Sequence, residues 1–226
     1  MKRIACLQKI IIAVYAGLVL LFCHHFIFRP IILDWGADDN IRNIACSGDV
    51  FTNGRDRHTR AVLIKATPEQ LWPWLIQIGQ ERGGFYSHEW LENLFRADMR
   101  NVYSIESRFQ NPRIAGDTIW LANKDRYQGI GYQIIAEVTP YKSFVMVGGE
   151  DYSKIRAGKN ASGSWAFYLH PETDTTTWLV ARSSAGDITK GEKVIRYFTY
   201  EVPHFIMEAK MLKTIKRLVE KQYDKI

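Results

Sequence analysis

Residues 10–28, IIIAVYAGLVLLFCHHFIF, form an apolar run of nineteen positions without a formal charge. As a helix this run rises ~28 Å at 1.5 Å per residue, close to the hydrocarbon thickness of a bilayer. Tyr15 and the pair His24–His25 dilute it, but the histidines sit near one end, where water is close. Lys2, Arg3 and Lys9 precede the run and only Arg29 follows it directly. The positive-inside rule therefore puts the N-terminus in the cytoplasm and residues 30–226 on the outer side, a single-pass arrangement suited to a bacterial inner membrane. A cleaved signal peptide competes. However, the run exceeds the usual h-region, no small-x-small site follows it, and Cys23 follows Leu21-Phe22 instead of small residues. A buried globular helix would need a large core around its whole circumference. An uncleaved signal anchor over residues 1–29 fits these features best.

The remainder has globular composition. Across the 226 residues, 46% are hydrophobic and 24% charged, which excludes a disordered chain. Thirty Lys and Arg against 24 Asp and Glu give a net charge of +6. The basic residues are scattered except in the last helix, so no nucleic-acid-binding stripe is expected. Three cysteines, Cys6, Cys23 and Cys46, cannot build a disulfide framework. Without a CxxC or Cys/His cluster, neither structural zinc nor any other cofactor is implied.

Residues 30–57 lack periodicity and read as an extended lead-in. A domain is expected over 58–226. Residues 59–66 (TRAVLIKA) have strand character, and Thr67-Pro68 with Gln70 forms a helix start. Leu71, Trp74, Leu75 and Ile78 then mark one helical face, and a short helix is expected over 86–95. Strands are expected at 117–122, 131–139, 142–148, 163–170 and 176–184, with loops at 150–161 and 185–200. A long amphipathic helix over about 203–223 carries Met207, Met211, Ile215 and Leu218 as its apolar stripe. Strand, helices, strand run and long helix suggest an α+β fold in which one helix crosses the concave face of a curved antiparallel sheet.

Several blocks carry a family resemblance: WGA (35–37), PEQLWPWLIQIGQERGGFYSHEWLENLF (68–95), AGDTIWLA (115–122), GSWAFYLHP (163–171), LVARS (179–183) and FIMEAKMLKTIKR (205–217). Together they cover roughly residues 35–220. The chain resembles the START-like superfamily (SRPBCC; Bet v 1-like, polyketide cyclase/dehydrase and lipid transport), in a bacterial, membrane-anchored branch. The resemblance implies a helix-grip fold and a hydrophobic cavity between sheet and long helix, able to hold a lipid or a polyketide-like molecule. It implies no single activity, because such folds host carriers and enzymes alike.

Catalytic signatures are sparse. No Gly-x-Ser-x-Gly or Walker-type loop is present, and Gly129-Ile130-Gly131 lacks the third glycine of a dinucleotide loop. His88 and Glu92 share an i, i+4 spacing but offer only two ligands to a metal, and no metal site is expected. His204 and Glu208 repeat that spacing beside the stripe of Met207 and Met211. They could act as an acid–base or head-group pair, or be an ordinary helix N-terminal pair. Arg182 lies on a strand in the face order Trp178, Val180, Arg182. Turned inward, it needs a carboxylate (Glu92, Asp117 or Glu208) or an anionic ligand; turned outward, it is a surface residue.

Trp72, Phe85, Tyr86, Trp90, Trp120, Trp165 and Phe167 concentrate in the elements expected to wall the cavity. Most aromatics at such spacings are core, and some would line a pocket. Gln77, Gln80, Tyr86 and Ser87 could orient a ligand, and Gly83-Gly84 allows a tight turn beside it. Three functions fit: a membrane-anchored binder of a lipid or isoprenoid-like molecule, a cyclase- or hydrolase-type enzyme using the same cavity, and an interaction module with a filled core.

Overall fold

The computed structural model describes residues 2–53, 56–127, 129–186 and 197–223. A helix Lys2–Cys23 (α1) continues through a π-helical stretch, His24–Phe28, into Arg29–Leu33 (α2). Two short helices follow, Asp39–Asn43 (α3) and Ser47–Thr52 (α4). Then come β1 (Asp56–Ile64), α5 (Pro68–Ile76), α6 (Glu89–Leu94), β2 (Thr118–Trp120), β3 (Tyr132–Thr139) and β4 (Ser143–Val147). The chain closes with α7 (Gly149–Arg156), β5 (Gly163–Thr173), β6 (Thr176–Ala185) and α8 (Val202–Tyr223).

All strand pairs are antiparallel, in the order β1-β6-β5-β4-β3-β2. Residues opposite one another in such a ladder point to the same face. Register therefore puts Arg60, Ala181, Phe167 and Phe144 on one face, and Ala61, Val180 and Tyr168 on the other. The first face packs on α8 through Met211, Leu212, Ile215 and Val219, all buried in one cluster with Phe144, Met146, Phe167 and Leu179. This sheet gripping one long helix is an α+β helix-grip arrangement.

Local signals explain the elements around it. The Thr67 backbone N–H donates to Gln70 Oε1 at 2.9 Å and Pro68 opens α5, so the expected helix start is formed. Gly84 has φ +75°, and a Cβ there would lie 2.8 Å from the Arg100 carbonyl oxygen. The turn after α5 thus needs glycine both for its backbone angle and for its close approach.

Three expectations are corrected. The lead-in 30–57 is not extended: α3 and α4 lie within it. Asp38 caps α3 by accepting from the Ile41 N–H at 2.8 Å, a cap worth about 1 kcal/mol. Ile41 and Cys46 pack with Ala61, Val145, Ala166, Tyr168 and Val180 on the outer sheet face, so the lead-in is a second layer covering it. Residues 150–161 contain helix α7, whose Asp151 binds Lys154 one turn on and accepts from Gly163 N–H. The last expected loop, 185–200, ends in a π-helical turn, Tyr197–Glu201, while its residues 187–196 lie outside the described residues.

One helix, Gln8–Leu33, is long and apolar enough to cross a membrane, with mean hydropathy 2.3 and none of its most apolar stretch buried. Its C-terminal end docks on the start of α8. Arg29 holds Glu201 with two bonds, Nε to Oε2 at 3.2 Å and Nη2 to Oε1 at 3.0 Å. His24 contacts the Tyr197 hydroxyl, and Trp35 packs edge-on against Phe205.

Candidate functional site

A cavity of about 230 Å³ lies between the sheet and the first turns of α8. Met207, Met211, His204 and Glu208 of α8 form one wall, and Trp165 of β5 forms the floor. Phe85 and Ser87, from the segment leading into α6, and Glu92 of α6 face them with Leu121. The helical period places 204, 207, 208 and 211 on one face, which is why a single element supplies four lining residues. Phe85 stacks on Trp165 with ring centroids 5.9 Å apart, and His204 meets the same indole edge-on at 5.3 Å.

Behind the wall lies a buried ion pair. Arg60 Nη1 donates to Glu208 Oε2 at 2.7 Å, and the two side chains are 1% and 2% exposed. Arg60 Nε donates to the Ile32 carbonyl at 2.8 Å, tying the pair to α2. Trp165 Nε1 donates to Glu208 Oε1 at 2.6 Å. Arg60 Nη1 also lies 3.3 Å from His204 Nδ1. His204 Nε2 in turn lies 3.7 Å from Glu208 Oε1. Burial alone would raise the Glu208 pKa, but the charges of His204 and Arg60 and the bonds from Arg60 and Trp165 hold it below the ordinary value.

Glu92 experiences the opposite balance. Burial, with a smaller contribution from the charge of Glu89, pushes it up to about 7. Its Oε2 is sealed from solvent without a hydrogen-bond partner. Thus one cavity holds two carboxyl groups, one kept ionised by buried cations and one poised near neutrality.

Of the residues singled out from sequence, Phe85, Ser87, Trp165, His204, Met207, Glu208 and Met211 come together at this cavity. Others fall elsewhere. Trp72 is buried against Tyr141 and Phe144, and Phe167 lies between Phe144 and Trp165. Gln77 donates to the Tyr86 hydroxyl at 2.8 Å and to the Ser104 carbonyl at 2.9 Å. Tyr86, at φ +57°, donates in turn to the Trp74 carbonyl. Gln80 donates to the Asp98 carbonyl, and Gly83 and Gly84 form the turn between these groups. Trp120 packs on Tyr132, whereas Trp90 is 69% exposed on α6.

Arg182 faces away from the cavity. It lies opposite Thr59 and Ala166, on the outer sheet face, and is 1% exposed beneath the lead-in. Its Nε donates to Thr59 Oγ1 at 3.0 Å and Nη1 to Asp49 Oδ2 at 2.9 Å and the Ile44 carbonyl at 2.8 Å. Nη2 donates to the carbonyls of Ile41 and Arg42. Its carboxylate is therefore Asp49, not Glu92, Asp117 or Glu208, and its role is to clamp α3 and α4 onto the sheet.

The arginine that reaches the site is Arg60, which sequence reasoning missed. The signal was present in β1, where Arg60 alternates with Val62 and Ile64, but the other face carries Ala61 and Leu63 and is equally apolar. Glu92 and Leu121 as lining residues were also missed, and no pattern in the sequence orients them. Among the described residues, no group of three or more His, Cys, Asp or Glu side chains could hold a metal ion. A wider cleft of about 670 Å³ at the other end of α8 is lined partly by Arg217, Lys221 and Gln222.

No family model and no curated protein matches the chain. Solved structures with similar folds include the Aha1 dimer from Colwellia psychrerythraea, 15% identical over 73% of this chain and 96% of that one, with a TM-score of 0.39. The self-sacrificing resistance protein CalC from Micromonospora echinospora is 10% identical over 74% and 95%, at 0.43. A polyketide-cyclase-like protein from Corynebacterium glutamicum is 12% identical over 75% and 94%, at 0.37. At such identities and scores these likenesses carry no inference about ligand or activity. The helix-grip assignment stands on this chain's own strand order and its one long C-terminal helix.

Proposed function

We propose that this protein is a membrane-anchored binder of a hydrophobic small molecule held between the sheet and α8. The observation that carries the reading is the cavity itself: Phe85, Leu121, Trp165, Met207 and Met211 give it a mostly apolar lining, with a few polar groups at fixed places. Desolvation of the ligand would drive binding, at ~0.8 kcal/mol per buried methylene. Size narrows the class. A 150 Å³ apolar cavity holds benzene, so about 230 Å³ suits roughly nine or ten heavy atoms. A short isoprenoid or a single ring system fits, whereas a two-chain lipid would enter only by one chain.

Residues 10–28 would keep the domain at the bilayer, and the charges of Lys2, Arg3 and Lys9 favour an outward-facing domain. The docking of Arg29 on Glu201, one turn before His204, supports a cavity held near the membrane surface, where apolar ligands concentrate. The test is native mass spectrometry of the full chain released from membranes, followed by solvent extraction. One stoichiometric adduct of a single chemical class supports the reading; a clean apo mass with no uptake of offered apolar compounds sinks it.

An enzymatic reading draws on a different observation, the contrast between Glu208 and Glu92 in one apolar space. That pairing would suit proton transfer to and from a bound substrate.

A further inference from the structure

We propose that the cavity selects a small apolar molecule whose single polar end donates a hydrogen bond to Glu92, an amine or an alcohol, and that it refuses carboxylates of the same size. The inference rests on the binding function above and adds the chemical class of the ligand.

The polar atoms of the lining divide into occupied and unoccupied ones. Ser87 Oγ donates to the Met207 carbonyl at 3.0 Å. Glu208 accepts from Arg60 and Trp165 on separate oxygens, and His204 Nδ1 faces Arg60. Glu92 Oε2 has no partner, although it is sealed from solvent. A buried acceptor without a donor is costly, and a turn of the Glu92 side chain toward a ligand N–H or O–H in the cavity it lines relieves that cost.

Charge excludes the alternative. Neither lysine nor arginine lines the cavity. His204, the one lining residue that can carry positive charge, sits 3.7 Å from Glu208, and Arg60 is 1% exposed and paired with the same carboxylate behind the wall. An incoming carboxylate would lose its hydration beside two carboxyl groups and find both positive groups already paired with Glu208. An ammonium would meet Glu92, whose charge has no cation beside it within the lining. The same carboxyl oxygen also accepts from an uncharged hydroxyl.

The experiment uses the full chain in phosphatidylcholine nanodiscs, with empty discs as blank. Calorimetric titration at pH 7.5 compares 3-phenylpropylamine, 3-phenylpropanol, 3-phenylpropanoate and propylbenzene, probes of one carbon skeleton matched to the cavity. The amine and alcohol are expected to bind at least about tenfold more tightly than the propanoate and than propylbenzene. Glu92→Leu is expected to weaken the amine about tenfold while leaving propylbenzene within about threefold. A propanoate that binds as well as the amine overturns the proposal, as do an amine and alcohol no tighter than propylbenzene; in both cases the cavity still binds and the broader function stands. If none of the four binds, the binding function itself falls. The probe series on the unaltered protein decides the question even where the variant folds poorly.

Discussion

Arg60 and Glu208 meet at 2.7 Å with neither side chain more than 2% exposed, and this pair joins α2, the sheet and the cavity wall. Arg60 reaches back to the Ile32 carbonyl, while Glu208 reaches forward to the Trp165 indole. Ion pairs this deeply buried contribute little net stability, because desolvation offsets their attraction, but removing one partner strands the other. The pair bridges β1 and α8 through a directional bond.

Removal of one partner should be far worse than removal of both. Arg60→Met is expected to cost about 3–5 kcal/mol in chemical denaturation, and Arg60→Met combined with Glu208→Leu markedly less. Strictly additive losses would show that the two residues do not act as a pair.

Arg182→Met tests the clamp on the outer face. It removes a guanidinium that holds Asp49, Thr59 and the carbonyls of Ile41, Arg42 and Ile44. A stability loss of about 3 kcal/mol is expected, as for a broken buried network. Limited proteolysis should cut first between residues 39 and 52, with uptake of an apolar probe retained in the uncut protein. Loss of uptake without new cleavage would instead put Arg182 in contact with the ligand.

Stability should carry a pH signature from Glu92. Its folded pKa is raised from 4.5 to about 7, so the folded state holds this proton more tightly than the unfolded one. The resulting stabilisation is fully present below pH 4.5 and is lost as pH rises through 7. Glu208 has the opposite sign, its lowered pKa adding stability that fades as pH falls. The difference between wild type and Glu92→Gln isolates the first effect. Wild type should lose ~1–2 kcal/mol relative to the variant between pH 4.5 and 7.5, less than the full shift implies because Glu92 is only partly buried. A pH-independent difference would mean that Glu92 is solvated.

Trp165→Phe keeps an aromatic floor but removes the bond to Glu208. A loss of about 1–2 kcal/mol is expected, since that bond reaches an ionised group. Any change in tryptophan emission on binding an apolar ligand should largely vanish with it. An undiminished signal would place the ligand beside another tryptophan, such as Trp74 or Trp120.

Much of this molecule was legible as one-dimensional pattern. The uncharged run 10–28, the helix start at Thr67-Pro68 and the stripe of α8 each follow from spacing, because secondary structure repeats at 3.6 or 2 residues and solvent sorts the faces. The lining residues Met207, Glu208 and Met211 followed from that stripe. Tertiary structure alone decided which of two arginines on neighbouring strands turns inward. Arg60 and Arg182 both sit in β-strands flanked by apolar residues, and both sheet faces are covered, one by α8 and one by α3 and α4. With both faces buried, alternation loses its contrast, and only strand register puts Arg182 under the lead-in and Arg60 behind the cavity. The same holds for Glu92, an unremarkable acid on a short helix until packing seals one of its oxygens without a partner.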